Sequence, residues 1–185
     1  DVNAPSYGYG EGTNDETDTN GDYNEFYMTQ LREVLGNPKY GNNGKFVEVW
    51  MDGAKGSGAA AQHYKFDQWF DLIEELQPGA VVFSPYATGV RWIGNESGKA
   101  GDPAWSKIDK KRIRDRYDQG LGDDNRYLNN GDPQGDIWSV GECDVSLTSG
   151  WFWHQGNGPK TMEQLTEIYF KSVGRGQPLL LNVAP

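Results

Sequence analysis

The chain has 185 residues and a formal net charge of −10. That length supports one domain with a substantial core, and the charge has the wrong sign for a phosphate backbone, which excludes nucleic acid as a partner. No apolar stretch reaches the roughly 18 residues of a membrane span, and two His with a single Cys, Cys143, make neither a zinc site nor an internal disulfide.

Residues 1–22 are rich in Gly, Asn, Asp and Thr without a period, the composition of a loop or extended segment. The spacing of Tyr27, Leu31, Val34 and Leu35 then predicts a helix over 24–36, with Asn24 as N-cap and Gly36 as the stop. A β-branched and aromatic run predicts a buried strand over 46–52, ending in Asp52 before Gly53. A Gly/Ala-rich loop containing His63 follows. A second helix over 66–77 turns Trp69, Phe70, Ile73 and Leu76 inward and is ended by Pro78. Residues 80–84 read as a second buried strand.

Residues 85–134 read as one long loop region, the kind of segment that carries function. It includes the basic run 107–116, whose interleaved acids mark a solvated face. A strand or strand pair is predicted within 136–147. Thr161 with Gln164 forms a capping box for a third helix. Met162, Leu165, Ile168, Tyr169 and Val173 form its inner face, and Gly174 is its stop. Residues 179–183 form a last strand. Helices alternating with short, continuously apolar strands specify an α/β fold on a parallel sheet.

Two carboxylates stand out. Asp52 ends a strand, where barrel enzymes place their chemistry; the bland reading is an acid that caps the next element or pairs with Lys. Glu96 lies in Arg91-Trp92-Ile93-Gly94-Asn95-Glu96-Ser97-Gly98, where glycines permit close approach of a ligand; the bland reading is a solvated loop acid. Glu142 is the rival acid, on a strand whose alternation puts Asp144 on the same face. The run Trp151-Phe152-Trp153-His154 serves either as a sugar-stacking platform or as core. Two carboxylates without a metal cluster point to glycoside hydrolysis. Gly8-Tyr9-Gly10-Glu11-Gly12 lacks the strand and helix of a nucleotide site.

Glu48-Val49-Trp50-Met51-Asp52-Gly53-Ala54 resembles the nucleophile motif of glycoside hydrolase family 29, the retaining α-L-fucosidases. Flanking segments fit as well: Tyr23 to Tyr27, Trp69 to Ile73, Val90 to Glu96, Glu142 to Ser146, Gly150-Trp151-Phe152 and Leu179 to Val183. The resemblance covers nearly the whole chain from Asp22 onward. It implies a (β/α)8-like TIM barrel of which residues 1–185 supply about the last five strands, as a partial catalytic domain. It also implies hydrolysis of terminal α-linked L-fucose by double displacement, without a cofactor or metal. Asp52 is then the nucleophile and Glu96 the acid/base, with Glu142 as alternative or support. Trp50, Trp92, Trp151 and His154 bind substrate. A retaining pair of this kind stands roughly 5–5.5 Å apart.

The Val90 to Glu96 segment resembles the 1,3/1,4-selective subgroup, so α-1,3/1,4-linked fucose is the expected substrate and α-1,2-linked fucose the alternative. Thr148 and Ser149 depart from the Arg-Pro of many relatives, which bears on leaving-group contacts. The family's first three strands and their His-rich sugar-binding motifs have no counterpart here. A companion chain or preceding segment that completes the barrel is therefore expected, since exposed strand edges are rarely tolerated. Two other readings stand beside the enzyme: a non-catalytic fucose-binding protein, and a fragment inert without its partner. A secreted, extracellular or periplasmic location is expected. The sequon Asn95-Glu96-Ser97 is expected to be unused, because a glycan there would block Glu96.

Overall fold

The computed structural model describes residues 23–52, 65–83, 89–109, 111–112 and 125–185. In chain order its elements are α1 (Tyr23–Leu35), β1 (Glu48–Trp50), α2 (Phe66–Leu76), β2 (Val81–Phe83), β3 (Gly89–Trp92), β4 (Lys107–Ile108), α3 (Asn125–Asn130), β5 (Ile137–Trp138), β6 (Val140–Ser146), α4 (Met162–Lys171) and β7 (Leu179–Asn182). The chain forms two compact units, Asp1–Val81 and Val82–Pro185. The expectations for residues 1–22, for His63 and for most of the basic run lie outside the described residues.

The first unit is built on α1 and α2. Asn24, Met28, Leu31 and Leu35 make the buried stripe of α1, at the four-three-four spacing of one helix face. The expected stripe included Val34, which lies on the outer side. Asn24 is not the N-cap of α1 either. It sits inside the first turn, fully buried, and its Oδ1 accepts the Lys65 N–H at 2.9 Å, at the entrance to α2. An Asn before an apolar stripe has the chemistry of a cap; here the oxygen finds a donor 41 residues away in sequence. Trp69, Leu72 and Ile73 are the buried face of α2, and the Trp69 ring packs on Tyr27 with centroids 4.5 Å apart.

Gln77, just past α2, ties the unit together. Its Nε2 donates to the carbonyls of Leu35 at 2.6 Å and Gly44 at 2.7 Å, and its Oε1 accepts the Phe46 N–H at 3.0 Å. Each such bond contributes about 1 kcal/mol net, and each would cost more if left unmade in the interior. The strand expected over 46–52 is shorter, only Glu48–Trp50, and is not the buried strand expected. Val47 is 86% exposed, although its carbonyl accepts the Val81 N–H at 3.0 Å. The β-branched run set an extended backbone; it did not set burial.

The second unit carries a parallel sheet in the order β2-β3-β6-β7. The register pairs Phe83 with Val90, Trp92 with Glu142, and Asp144 with Leu180. β4 and β5 make a separate antiparallel pair. The expected long loop over 85–134 is therefore corrected: it contains β3, an interior strand of the sheet, together with β4 and α3.

The reason lies in Arg91. A charge in the middle of a four-residue strand breaks the apolar pattern, yet Arg91 is fully buried. Its Nε donates to the Leu128 carbonyl at 2.8 Å, its Nη2 to the Trp105 carbonyl at 2.9 Å, and its Nη1 to the Ser139 carbonyl. Burial lowers its pKa to about 10, still far above neutrality, so the guanidinium stays charged. One planar fork ties α3 and the segments at Trp105 and Ser139 to the sheet.

The capping box of α4 is present: Thr161 Oγ1 accepts the Gln164 N–H, and the Gln164 side chain accepts the Thr161 N–H. Its expected inner face is corrected. Ile168 is buried and Leu165 half-buried, but Met162 is 73% exposed, and Tyr169 and Val173 are exposed too. Gly174 is not the stop. α4 ends at Lys171, a 3-10 turn runs through Val173–Arg175, and Gly176 at φ 76° closes it in the left-handed region.

Candidate active site

Neighbours in register share a face of a sheet, and side chains alternate along each strand. One face of the second unit's sheet therefore carries Trp92, Glu142, Asp144, Ser146 and Asn182. The opposite face carries Arg91, Gly141, Cys143 and Val145. The polar residues of β6 are gathered on one side, toward the end where the strand leaves the sheet.

Asp144 is 3% exposed, and its Oδ1 accepts the Trp92 indole N–H at 2.9 Å. Burial pushes its carboxyl up to about 6. The charges of Glu96 and Glu142 act in the same direction, while the backbone and the Trp92 donor pull the other way. Glu96 is thus close enough for its charge to be felt by Asp144. As expected from alternation, Glu142 and Asp144 lie on one face, and both are buried.

Glu96 itself is exposed, but the loop that carries it is fastened at both ends. The Ile93 N–H donates to the Glu142 carbonyl at 3.1 Å, and the Gly98 N–H to the Asp144 carbonyl at 3.1 Å. Asn95 Oδ1 accepts the Ser97 N–H at 3.0 Å, and its Nδ2 donates to the Lys99 carbonyl at 3.1 Å. Asn129 Nδ2 reaches the carbonyls of Ile93 and Lys99 at 3.2 and 3.3 Å. Gly98 has φ 70°, and a Cβ there would stand 2.7 Å from Val145 Cγ1 and 2.9 Å from Ile168 Cγ2. No side chain fits at that point without displacing the core beneath it.

The aromatic run is split by the structure. The Trp151 indole N–H reaches Glu96 Oε2 at 3.4 Å, and the Trp151 carbonyl accepts Asn182 Nδ2 at 2.9 Å. Asn182 Nδ2 also donates to Ser146 Oγ at 3.1 Å, so the end of β7 holds the Trp151 loop beside the end of β6. Lys160 Nζ donates to the Ser146 carbonyl. Phe152 and Trp153 are exposed at 78% and 64%, so they are not core. His154 is exposed, and its carbonyl accepts the Asn157 N–H.

The second unit therefore brings together Trp92, Glu96, Glu142 and Trp151 from the expected site, with His154 on the Trp151 loop. Trp50 and Asp52 belong to the first unit, where Asp52 lies two residues beyond β1 and is exposed. Within the second unit the array sets a buried carboxyl group, Asp144, near an exposed one, Glu96, and offers indole N–H groups to both.

No family model matches the chain. It is similar to α-L-fucosidase 1 of Arabidopsis thaliana, 47% identical over 165 residues, which are 89% of this chain and 30% of that protein. Among solved structures it matches the crystal structure of SpGH29 at 51% identity and TM-score 0.80, covering 88% of this chain and 35% of that one. It also matches a Ruminococcus gnavus GH29 fucosidase in complex with fucose at 45% identity and TM-score 0.81, covering 100% of this chain and 38% of that one. The chain belongs to glycoside hydrolase family 29.

The family 29 relatives matched here are about three times as long as the matched region. Their fold accounts for the parallel α/β architecture and bears out the expected partial TIM-barrel-like fold. Two residues of this candidate site were not singled out in the sequence: Ser146 and Asn182. Asp144 was noted only as a companion of Glu142. The signal that could have found them is alternation carried across strands, since Asp144 and Ser146 follow Glu142 at two-residue steps. Cys143, between them, faces the other way. Its thiol is pushed up to about 12, mainly by burial and then by the Asp144 charge, which keeps it protonated and inert.

Proposed function

We propose that the protein carrying this chain is a retaining α-L-fucosidase that releases terminal α-linked L-fucose from glycans. In the first step an Asp52 oxygen bonds to the anomeric carbon as the glycosidic C–O bond breaks, and Glu96 gives its proton to the leaving oxygen. In the second step water bonds to the same carbon, Glu96 takes its proton, and Asp52 is released. The observation that carries this reading is the Glu96 loop: it is anchored to β6 at both ends, faces Trp151 and stands beside a buried acid face. The similarity to fucosidases supports the substrate class. Trp50, Trp92, Trp151 and His154 are assigned to sugar binding, and Glu142 supports the acid/base.

The linkage assigned is α-1,3/1,4, on the likeness of Val90 to Glu96 to that subgroup. A companion segment completing the sheet is part of the proposal. It is supported by the apolar residues exposed on α4, Met162, Tyr169 and Phe170, on the turn after it, Val173, and on and after the edge strand β7, Leu181 and Val183. The location proposed is secreted, extracellular or periplasmic.

The test is labelling with a 2-fluoro-fucosyl fluoride, which forms the covalent intermediate and slows its release. A fucosyl-sized adduct on the peptide carrying Asp52 is expected; an adduct elsewhere removes Asp52 from the role. Glu96→Ala is expected to lose most activity on natural oligosaccharides and least on substrates with activated leaving groups. Retention of full activity on oligosaccharides moves the acid/base to Glu142. Cleavage of α-1,2 linkages alone replaces the linkage assignment. Fucose binding without turnover favours a binding protein.

A further inference from the structure

We propose that Asp144 is a positioning residue of this site: its buried carboxyl group holds the Trp92 indole in one fixed plane beside Glu96, through the hydrogen bond to Nε1. The role in substrate binding rests on the fucosidase reading; the Asp144–Trp92 pairing itself does not.

Two restraints act on the Trp92 ring. Part of its surface packs on the cluster of Ile108, Tyr127 and Leu128, and its Nε1–H donates to Asp144 Oδ1 at 2.9 Å. Packing alone lets an indole slide or flip in its contact plane; an edge hydrogen bond to a buried acceptor removes that freedom. Asp144 is itself held. It lies in the third-last position of β6, paired in register with Leu180 of β7, and its own carbonyl accepts the Gly98 N–H. One residue therefore fixes the Trp92 ring through its side chain and the Glu96 loop through its backbone.

A buried carboxyl group is costly, and among the described residues the charges that act on this one, Glu96 and Glu142, are both acidic. β3 contributes the neutral Trp92 and β7 the neutral Leu180 in register, while β6 contributes Glu142 and the loop after β3 contributes Glu96. A residue chosen for packing at this position would be apolar. An acid at this position is explained by the indole it orients, and ionised Asp144 makes the stronger, charge-assisted bond.

The test uses the complete protein, with tryptophan labelled by 15N at the indole nitrogen and the Trp92 signal assigned by its loss in Trp92→Phe. The Trp92 indole resonance is expected to move with pH, with a midpoint near 6, following Asp144. Asp144→Asn, which keeps an acceptor oxygen but cannot ionise, should hold the resonance in place across that range. Asp144→Ala should shift it and broaden it. In turnover, Asp144→Ala is expected to raise KM by more than about tenfold, the size of a lost charge-assisted bond, with a smaller change in kcat; Asp144→Asn should restore most of the KM. A Trp92 resonance indifferent to pH and to both substitutions overturns the pairing. A loss in kcat alone, with KM unchanged, overturns the positioning role. If the unsubstituted protein turns over no fucoside, the fucosidase reading fails, and the resonance still decides the pairing.

Discussion

The two faces of the second unit's sheet are built from the same strands and bury charge on both sides, yet to opposite ends. On one face Arg91 is enclosed by three carbonyl oxygens from Leu128, Trp105 and Ser139, and all its partners are backbone. On the other, Asp144 keeps company with Glu96, Glu142 and an indole edge. Arg91 is surrounded by groups that want a cation, so its charge serves the scaffold. Asp144 has the charges of two acids acting on it and an indole as its side-chain donor, so its charge is a tension that the fold sustains. A buried charge is structural or functional according to its partners, and its burial alone does not tell the two apart.

The largest effect should come from the scaffold side. Arg91→Met leaves three carbonyls without their donor and is expected to cost roughly 3–5 kcal/mol, read from urea denaturation. A loss under about 1 kcal/mol would mean that the Arg91 fork is dispensable and the contrast between the faces is false. Next is the point where the faces communicate. Gly98→Ala places a methyl group against Val145 and Ile168 at positive φ, for an expected loss of roughly 1–3 kcal/mol. Because Glu96 lies two residues away, activity should fall further than stability; activity tracking stability alone would separate the loop from the chemistry.

The acid side should show itself through pH. The Asp144 carboxyl sits at about 6 in the folded chain against an ordinary 3.8. The folded state therefore binds this proton more tightly than the unfolded one. The resulting stability is fully present below pH 4 and is lost as pH rises through about 6. The swing is up to about 3 kcal/mol, and Asp144→Asn should flatten it. An unchanged profile would place the tension elsewhere. The smallest effect belongs to the surface. Glu167 is held well below the usual carboxylate range, near 2, by Lys171 and Lys99. All three side chains are solvated, so Glu167→Gln should leave Tm within error near neutral pH. A measurable drop would show that these two surface pairs do more than screened ion pairs do.

Where local chemistry is strong, the sequence was legible. Thr161 and Gln164 specified a capping box that is there, and Trp69 and Ile73 specified the buried face of α2. The motif around Glu96 led to a loop beside Trp92 and Trp151. Where a polar side chain does long-range work, it was not legible. Asn24 looked like a cap and is a tie to Lys65; Arg91 looked like a loop residue and is the centre of β3. Met162 and Tyr169 fit a helical stripe, yet this structure leaves them exposed.

The sequence by itself determined the alternation of helices and strands, the α4 cap, the kinship with family 29 and the acids worth watching, because periodicity, capping and motif spacing act within a few residues of chain. Only the tertiary structure decided that β3 is a strand, that Asp144 grips Trp92, and that Asn182 ties Trp151 to the end of β6. Those outcomes depend on donors and acceptors tens of residues apart, and a buried polar group takes its meaning from the partner that satisfies it.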